Sequence, residues 1–127
     1  MDGSRYMITI GDPPYLECSS KGDVRFSAFS AIVNGVCIEI QYQRAKKFKR
    51  IGGITRLPWR IAKGKTPLNY LDVRKLYKDL WRQYLKENPE LMQVLKRATG
   101  LSDHYGQKGH QCQAITLWEL SREDVLL

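Results

Sequence analysis

With 127 residues, 43% hydrophobic and 27% charged, the chain has the length for one domain and the composition of an ordinary globular protein. No apolar run approaches the roughly 20 residues that span a bilayer as a helix, so no membrane partner is expected. The formal charge of +8 excludes an acidic surface and directs attention to polyanions.

The opening Met1-Asp2-Gly3-Ser4-Arg5 leads into only a short apolar stretch, which does not read as a signal peptide. Tyr6 to Ile10 reads as a first strand, stopped by Gly11-Asp12-Pro13-Pro14. Cys18 to Asp23 reads as a polar loop, and Phe26-Ser27-Ala28-Phe29 opens a second apolar run. Ala31-Ile32-Val33, Asn34-Gly35 and Val36-Cys37-Ile38 together predict a hairpin, because Asn-Gly supplies the positive φ angles of a type I′ turn. Glu39 to Arg50 reads as a helix broken by Gly52-Gly53, and residues 51–66 read as a long loop.

Asn69 to Glu87 carries the clearest helical signal. Val73, Leu76, Tyr77, Leu80, Trp81, Tyr84 and Leu85 recur at three- and four-residue spacing and make one apolar stripe, with Asn69 as a candidate N-cap. Asn88-Pro89 restarts the chain in a second helix that runs to about Ala98 and ends at Gly100. Leu101 to Gln111 reads as a polar loop, and the pattern of Cys112 to Leu120 leaves strand and helix open. The expectation is an α+β single domain, 1–127, in which an N-terminal strand and a hairpin form a small central β-structure packed with several helices.

The charge is concentrated. Arg44, Lys46, Lys47, Lys49, Arg50, Arg56, Arg60, Lys63 and Lys65 follow one another with no acidic residue among them, while the remaining 12 of the 21 basic residues face 13 acidic ones. Segment 44–65 is therefore a candidate surface for nucleic acid, a pyrophosphate or an acidic membrane surface, against the alternative of a solvated basic face with no ligand. Within it, Trp59-Arg60 could stack on a base or simply anchor its own loop. Along the helix from Glu39, a spacing of about 100° per residue puts Glu39, Gln43, Lys46 and Arg50 on one side with Tyr42 at its edge, and Ile38, Ala45 and Phe48 on the other. Such a stripe can grip a polar ligand at several points, or it can be an ordinary exposed face.

The string Glu39-Ile40-Gln41-Tyr42-Gln43-Arg44-Ala45-Lys46-Lys47-Phe48 resembles the E-x-x-Y-Q-x-A-K-F type of motif in NADAR proteins, which also follows a strand pair entered through an F-S-x-F-like segment. Tyr84 to Leu91 is similar to the family's K-F-x-Q-N-P-x-L stretch, Thr99-Gly100 to its T-G, Asp103-His104-Tyr105-Gly106 to its D-x-x-W-G, and Leu117 to Arg122 to its closing helix. Tyr105 stands where a Trp is typical, and Gln111 to Ala114 replaces an N-G-L-G-like step. The resemblance, over roughly residues 26–122, implies cleavage of an N-glycosidic bond, with ADP-ribose on guanine as the best-known kind of substrate, and no cofactor. It implies Glu39, Lys46 and Asp103 as catalytic residues, in that order. Glu39 would stabilise the developing oxocarbenium or activate water. Lys46 would bind the pyrophosphate or attack a ring-opened sugar aldehyde. Asp103 would act as a second acid/base in a loop able to close over the site. Phe29, Tyr42, Gln43, Arg50, Tyr105 and Gly106 complete the implied substrate contacts, with Tyr42 and Gln43 on the ribose hydroxyls.

Other readings are weaker. His104, His110, Cys112 and Cys18 match no standard zinc spacing, so no metal is expected. Ser19-Ser20-Lys21-Gly22-Asp23 could hold a phosphate but lacks P-loop spacing and reads equally as a surface loop. Three cysteines, Cys18, Cys37 and Cys112, without a CxxC spacing argue against a disulfide framework and for the cytoplasm as the default compartment. Three functions compete: a glycosidase, a nucleic-acid binder without catalysis, and a protein that sequesters a nucleotide. Steep salt dependence would mark the second, and a Glu39→Gln change that spares binding would separate the first from the third.

Overall fold

The computed structural model describes residues 5–107 and 113–123. Its elements, in order, are β1 (Arg5–Gly11), β2 (Tyr15–Glu17), a 3-10 turn (Val24–Phe26), β3 (Ile32–Val33), β4 (Val36–Cys37), α1 (Ile38–Ala45), β5 (Phe48–Arg50), β6 (Gly53–Thr55), α2 (Trp59–Ala62), α3 (Tyr70–Glu87), α4 (Pro89–Arg97), β7 (Gly100–Gln107) and α5 (Gln113–Arg122). The fold is α+β. None of the described helices is long and apolar enough to cross a membrane.

The apolar stripe of α3 forms the spine of the core. Val73, Tyr77, Leu80, Trp81, Tyr84 and Leu85 are buried, and each such side chain contributes about 1.5–3 kcal/mol on leaving water. Their aromatic members extend into an edge-to-face ladder in which Tyr42 of α1 meets Tyr77 at 5.0 Å, Tyr77 meets Trp81 at 6.5 Å and Trp81 meets Tyr84 at 5.4 Å between centroids. The ladder ends in a polar tie, the Tyr84 hydroxyl donating to the Arg25 carbonyl at 2.8 Å. Asn88 and Pro89 start α4 as the sequence suggests, although the Asn88 amide donates to the Tyr84 carbonyl rather than capping the new helix.

Residues 101–107 are not a loop. They belong to β7, the middle strand of a three-stranded sheet ordered β1-β7-β2, antiparallel to β1 and parallel to β2. Its sequence hides this because its polar groups find their partner across the sheet, on β2. Ser102 donates to Glu17 at 2.9 Å, and the His104 amide donates to the same carboxylate at 2.8 Å. Burial opposes the charge on Glu17, but hydrogen bonds from Ser19, the His104 amide and Ser102 outweigh it and hold the carboxyl below its usual 4.5. The stabilisation this supplies is complete above the ordinary carboxylate range and is lost as the pH falls through the lowered value. A Glu17→Gln variant is therefore expected to lose about 1–2 kcal/mol at pH 7 and to show a flatter decline in acid, measured by urea titration between pH 3 and 7.

The hairpin β3–β4 is as expected, with Asn34 at φ 55° and Gly35 at φ 84°, but it forms its own two-stranded sheet and does not join β1. The last helix, α5, lies between the sheet on one side, against β1 and β7, and α3 and α4 on the other. Burial on two sides gives it the inward set Ala114, Thr116, Leu117, Leu120 and Ser121, which explains why its sequence shows no single stripe.

Candidate functional site

The helix expected from Glu39 to Arg50 ends at Ala45. Past that point the chain offers basic residues but no apolar face to bury, and it turns instead into the β5–β6 hairpin, whose reversal at Ile51-Gly52 uses the positive φ of Gly52, 83°. Arg50 is therefore not on the helical stripe. It sits exposed at the end of β5.

What remains of the stripe is not an exposed face either. Gln43 is 4% exposed and Lys46 1%, so α1 is buried on both sides, with Ile38 in the core opposite them. The start of α1 is held to the loop before it, since the Glu39 amide donates to the Ala28 carbonyl at 3.0 Å. Ala28 is in turn fixed from α5, where the side-chain amide of Gln113 accepts from the Ala28 amide at 2.7 Å and donates to the Cys18 carbonyl at 2.8 Å. Nothing in the sequence singles out Gln113, because a lone amide at the start of a helix carries no periodic signal.

Glu39 titrates above the ordinary carboxylate range. Burial raises its pKa above the usual 4.5 and the charge of Asp103 adds to that, while a 2.6 Å hydrogen bond from the Gln43 amide and the charges of Lys63 and Lys46 work against it. The Gln43 carbonyl oxygen is buried without a partner, so this amide is oriented by Glu39 and not by a network of its own. Asp103 is 3% exposed on β7. It does not sit in a glycine-bounded loop; the middle strand of the sheet brings it within electrostatic reach of Glu39.

Tyr42 is a member of the core ladder, and burial together with the charge of Glu39 pushes its phenol up to about 12. Lys46 takes a role that spacing does not suggest. Its ammonium donates to the carbonyls of Ala62 at 3.2 Å and Lys65 at 2.8 Å and lies 5.1 Å from the centre of the Tyr42 ring, while burial draws its pKa below the usual lysine value against the opposing pull of Glu39. Beside it Asn69, at the N-cap position of α3, does not cap that helix. Its side chain accepts from the Lys47 amide at 2.9 Å and donates to the Ala45 carbonyl at 3.0 Å, and the Leu68 amide donates to the Lys47 carbonyl at 2.8 Å. These five bonds close the base of the excursion that runs from residue 47 to residue 68, so the basic segment has a fixed root.

At the rim, Phe29 is 45% exposed and meets Trp59 edge-on at 6.1 Å. Lys63 lies over Phe29 at 5.1 Å and Arg60 over Trp59 at 5.2 Å, which makes a ledge of two rings and two cations. Lys63 is the charge that links this ledge to Glu39, and the sequence marks it only as one of nine.

Tyr105 and Gly106 continue β7 beyond Asp103, with Gly106 opposite Tyr6, and their side-chain surroundings lie outside the described residues. His110 and Cys112 also lie outside them. Among the described residues no three His, Cys, Asp or Glu side chains group as metal ligands would. Of the polar turn, Ser19 is buried, its hydroxyl donating to Glu17 at 2.5 Å, while Ser20, Lys21 and Gly22 are exposed. The arrangement is thus a half-buried carboxylate with raised pKa, a second, buried carboxylate within its electrostatic reach, an amide that orients the first, and a cationic aromatic rim. No family model, no curated protein and no solved structure matches the chain.

Proposed function

We propose that the chain is an N-glycosidase that hydrolyses an N-ribosyl bond, with ADP-ribose on guanine as the substrate class that its resemblance to NADAR proteins indicates. The observation that carries this reading is Glu39, a half-buried carboxylate with raised pKa within electrostatic reach of a second, buried carboxylate, Asp103, at the edge of a cationic surface. An anionic substrate approaches the exposed cations, and its sugar meets the acidic pair behind them. As the C1′–N bond breaks, its electron pair leaves with the base and positive charge develops on the sugar, which the Glu39 carboxylate stabilises. Water then adds to C1′ and gives its proton to Glu39, while the departing base nitrogen takes a proton from Asp103 or solvent. Gln43 holds the Glu39 carboxylate in place. Lys46 supports the site through its hold on the 47–68 excursion.

The test is incubation of the protein with DNA bearing ADP-ribosylated guanine, alongside NAD and free ADP-ribosylated nucleosides, with released ADP-ribose or free base read by mass spectrometry. Release from at least one of these is the expected result, and none from any of them would overturn the reading. Because Glu39 works as a carboxylate and its pKa is raised, kcat/KM is expected to climb with pH along an acid limb whose midpoint lies above 4.5. A limb centred at or below 4.5 would assign the base to another group.

One observation favours binding of nucleic acid without turnover. Of the nine basic residues between 44 and 65, all but Lys46 and Lys47 are exposed, and among the described residues none of the nine is paired with a carboxylate. Salt-sensitive DNA binding in a protein that releases nothing would make that reading the better one.

A further inference from the structure

The β5–β6 hairpin projects from the fixed root at Lys47 and carries more apolar exposure than a solvated ribbon needs. Ile51 at its turn is fully exposed, at 101%, and Ile54, opposite Lys49 across the ribbon, is 63% exposed. A single exposed isoleucine is unremarkable on a protein surface. Here two of them stand on one short ribbon among Lys49, Arg50 and Arg56, and all five side chains are exposed. A partner that satisfies both must be anionic outside and apolar within. Duplex DNA has that construction, with phosphates flanking stacked bases. A two-stranded ribbon fits a groove, and an apolar side chain at its tip can part a base step.

An anionic membrane shares part of that chemistry, but the site behind the ribbon favours DNA. Trp59 and Lys63, further along the same excursion, meet Phe29, and the charge of Lys63 reaches Glu39, so a displaced base finds rings to stack on there and a cation for its phosphate. A lipid surface gives that ledge nothing to do.

We infer that the β5–β6 ribbon is a DNA wedge. Ile51 enters the base stack, Lys49, Arg50 and Arg56 hold the flanking phosphates, and the nucleotide so displaced comes to rest against Phe29 and Trp59 beside Glu39. The last part rests on the glycosidase reading, whereas insertion and phosphate contact do not.

The test uses the full chain and a duplex oligonucleotide with 2-aminopurine in place of one adenine. Wild type is expected to raise the fluorescence of the probe, as unstacking does, and to bind with a log–log salt slope near −3, about one phosphate for each of three cations. Ile51→Ser, at a residue that packs against nothing, is expected to keep the thermal midpoint and the salt slope while losing about four-fifths of the fluorescence rise. Lys49→Gln with Arg50→Gln is expected to cut the slope by about two. An Ile51→Ser variant that unstacks the probe as well as wild type overturns the wedge. So does a protein that ignores the duplex but binds vesicles containing phosphatidylserine. Glu39→Gln keeps the two readings apart. If it and wild type both unstack the probe and neither releases ADP-ribose, the wedge stands and the glycosidase falls.

Discussion

Replacing Glu39 by Gln is expected to reduce turnover by about 10²–10⁴-fold, the range for losing a positioned acid or base, while raising the thermal midpoint at pH 7. The two effects have one cause. Burial raises the Glu39 pKa above 4.5, so the folded protein holds the protonated form more readily than the unfolded chain does. Ionisation then opposes folding. The cost is absent below the ordinary carboxylate range, grows as the pH rises toward the raised value and stays constant beyond it. A neutral glutamine removes that cost and can still accept the hydrogen bond from Gln43. Differential scanning calorimetry of both proteins at pH 7 and pH 4 checks this, with the gain expected to shrink at the lower pH. A midpoint that drops at pH 7 would make Glu39 a structural carboxylate and would remove the main support for a catalytic role.

Lys46→Ala is expected to be the most damaging single change in the described part of the chain, costing about 3–5 kcal/mol. It strips the donor from the Ala62 and Lys65 carbonyls, leaves a cavity against the Tyr42 ring and unties the root of the 47–68 excursion. A loss of that size lowers the midpoint by about 10 °C or more in a domain of this length. Limited proteolysis is expected to cut the variant within 47–68 well before wild type is cut. The volume-preserving Lys46→Met separates packing from hydrogen bonding, and it is expected to recover only part of the loss. Borohydride reduction during turnover separates the structural role from a Schiff base. A reduced sugar adduct on Lys46 in wild type would return it to the chemistry, and an unmodified Lys46 is the expected result.

The sequence made some of this legible and concealed the rest for identifiable reasons. The stripe of α3 and the Asn34-Gly35 turn are local signals, periodicity and positive φ, and both appear where they were expected. The end of α1 was hidden because lysine and arginine are good helix formers, so Lys46 to Arg50 offered no propensity break before the glycines. β7 was hidden because Ser102, Asp103 and His104 look like loop residues until Glu17, 85 or more positions away, accepts from the Ser102 hydroxyl and the His104 amide. For the site, Glu39, Gln43 and Asp103 could be nominated as residue types. Their mutual placement, the inward turn of Lys46 and the clamp from Gln113 depend on contacts across the whole chain, which no short-range pattern encodes.

The sheet order also sets a timetable. β1 and β2 do not pair with each other, and both wait on β7. Arg5 finds Gln107 and Gly11 finds Gly100, so neither early strand has a hydrogen-bonding neighbour until the chain has been made almost to its last helix. The α3 and α4 segments and the β3–β4 hairpin rest on local contacts and can form while synthesis continues, but closing the sheet means closing a loop of roughly 90 residues, a slow and late event. Asp103 arrives with that strand. The first carboxylate of the pair is in place with α1, and the second is added only when β7 reaches β1 and β2.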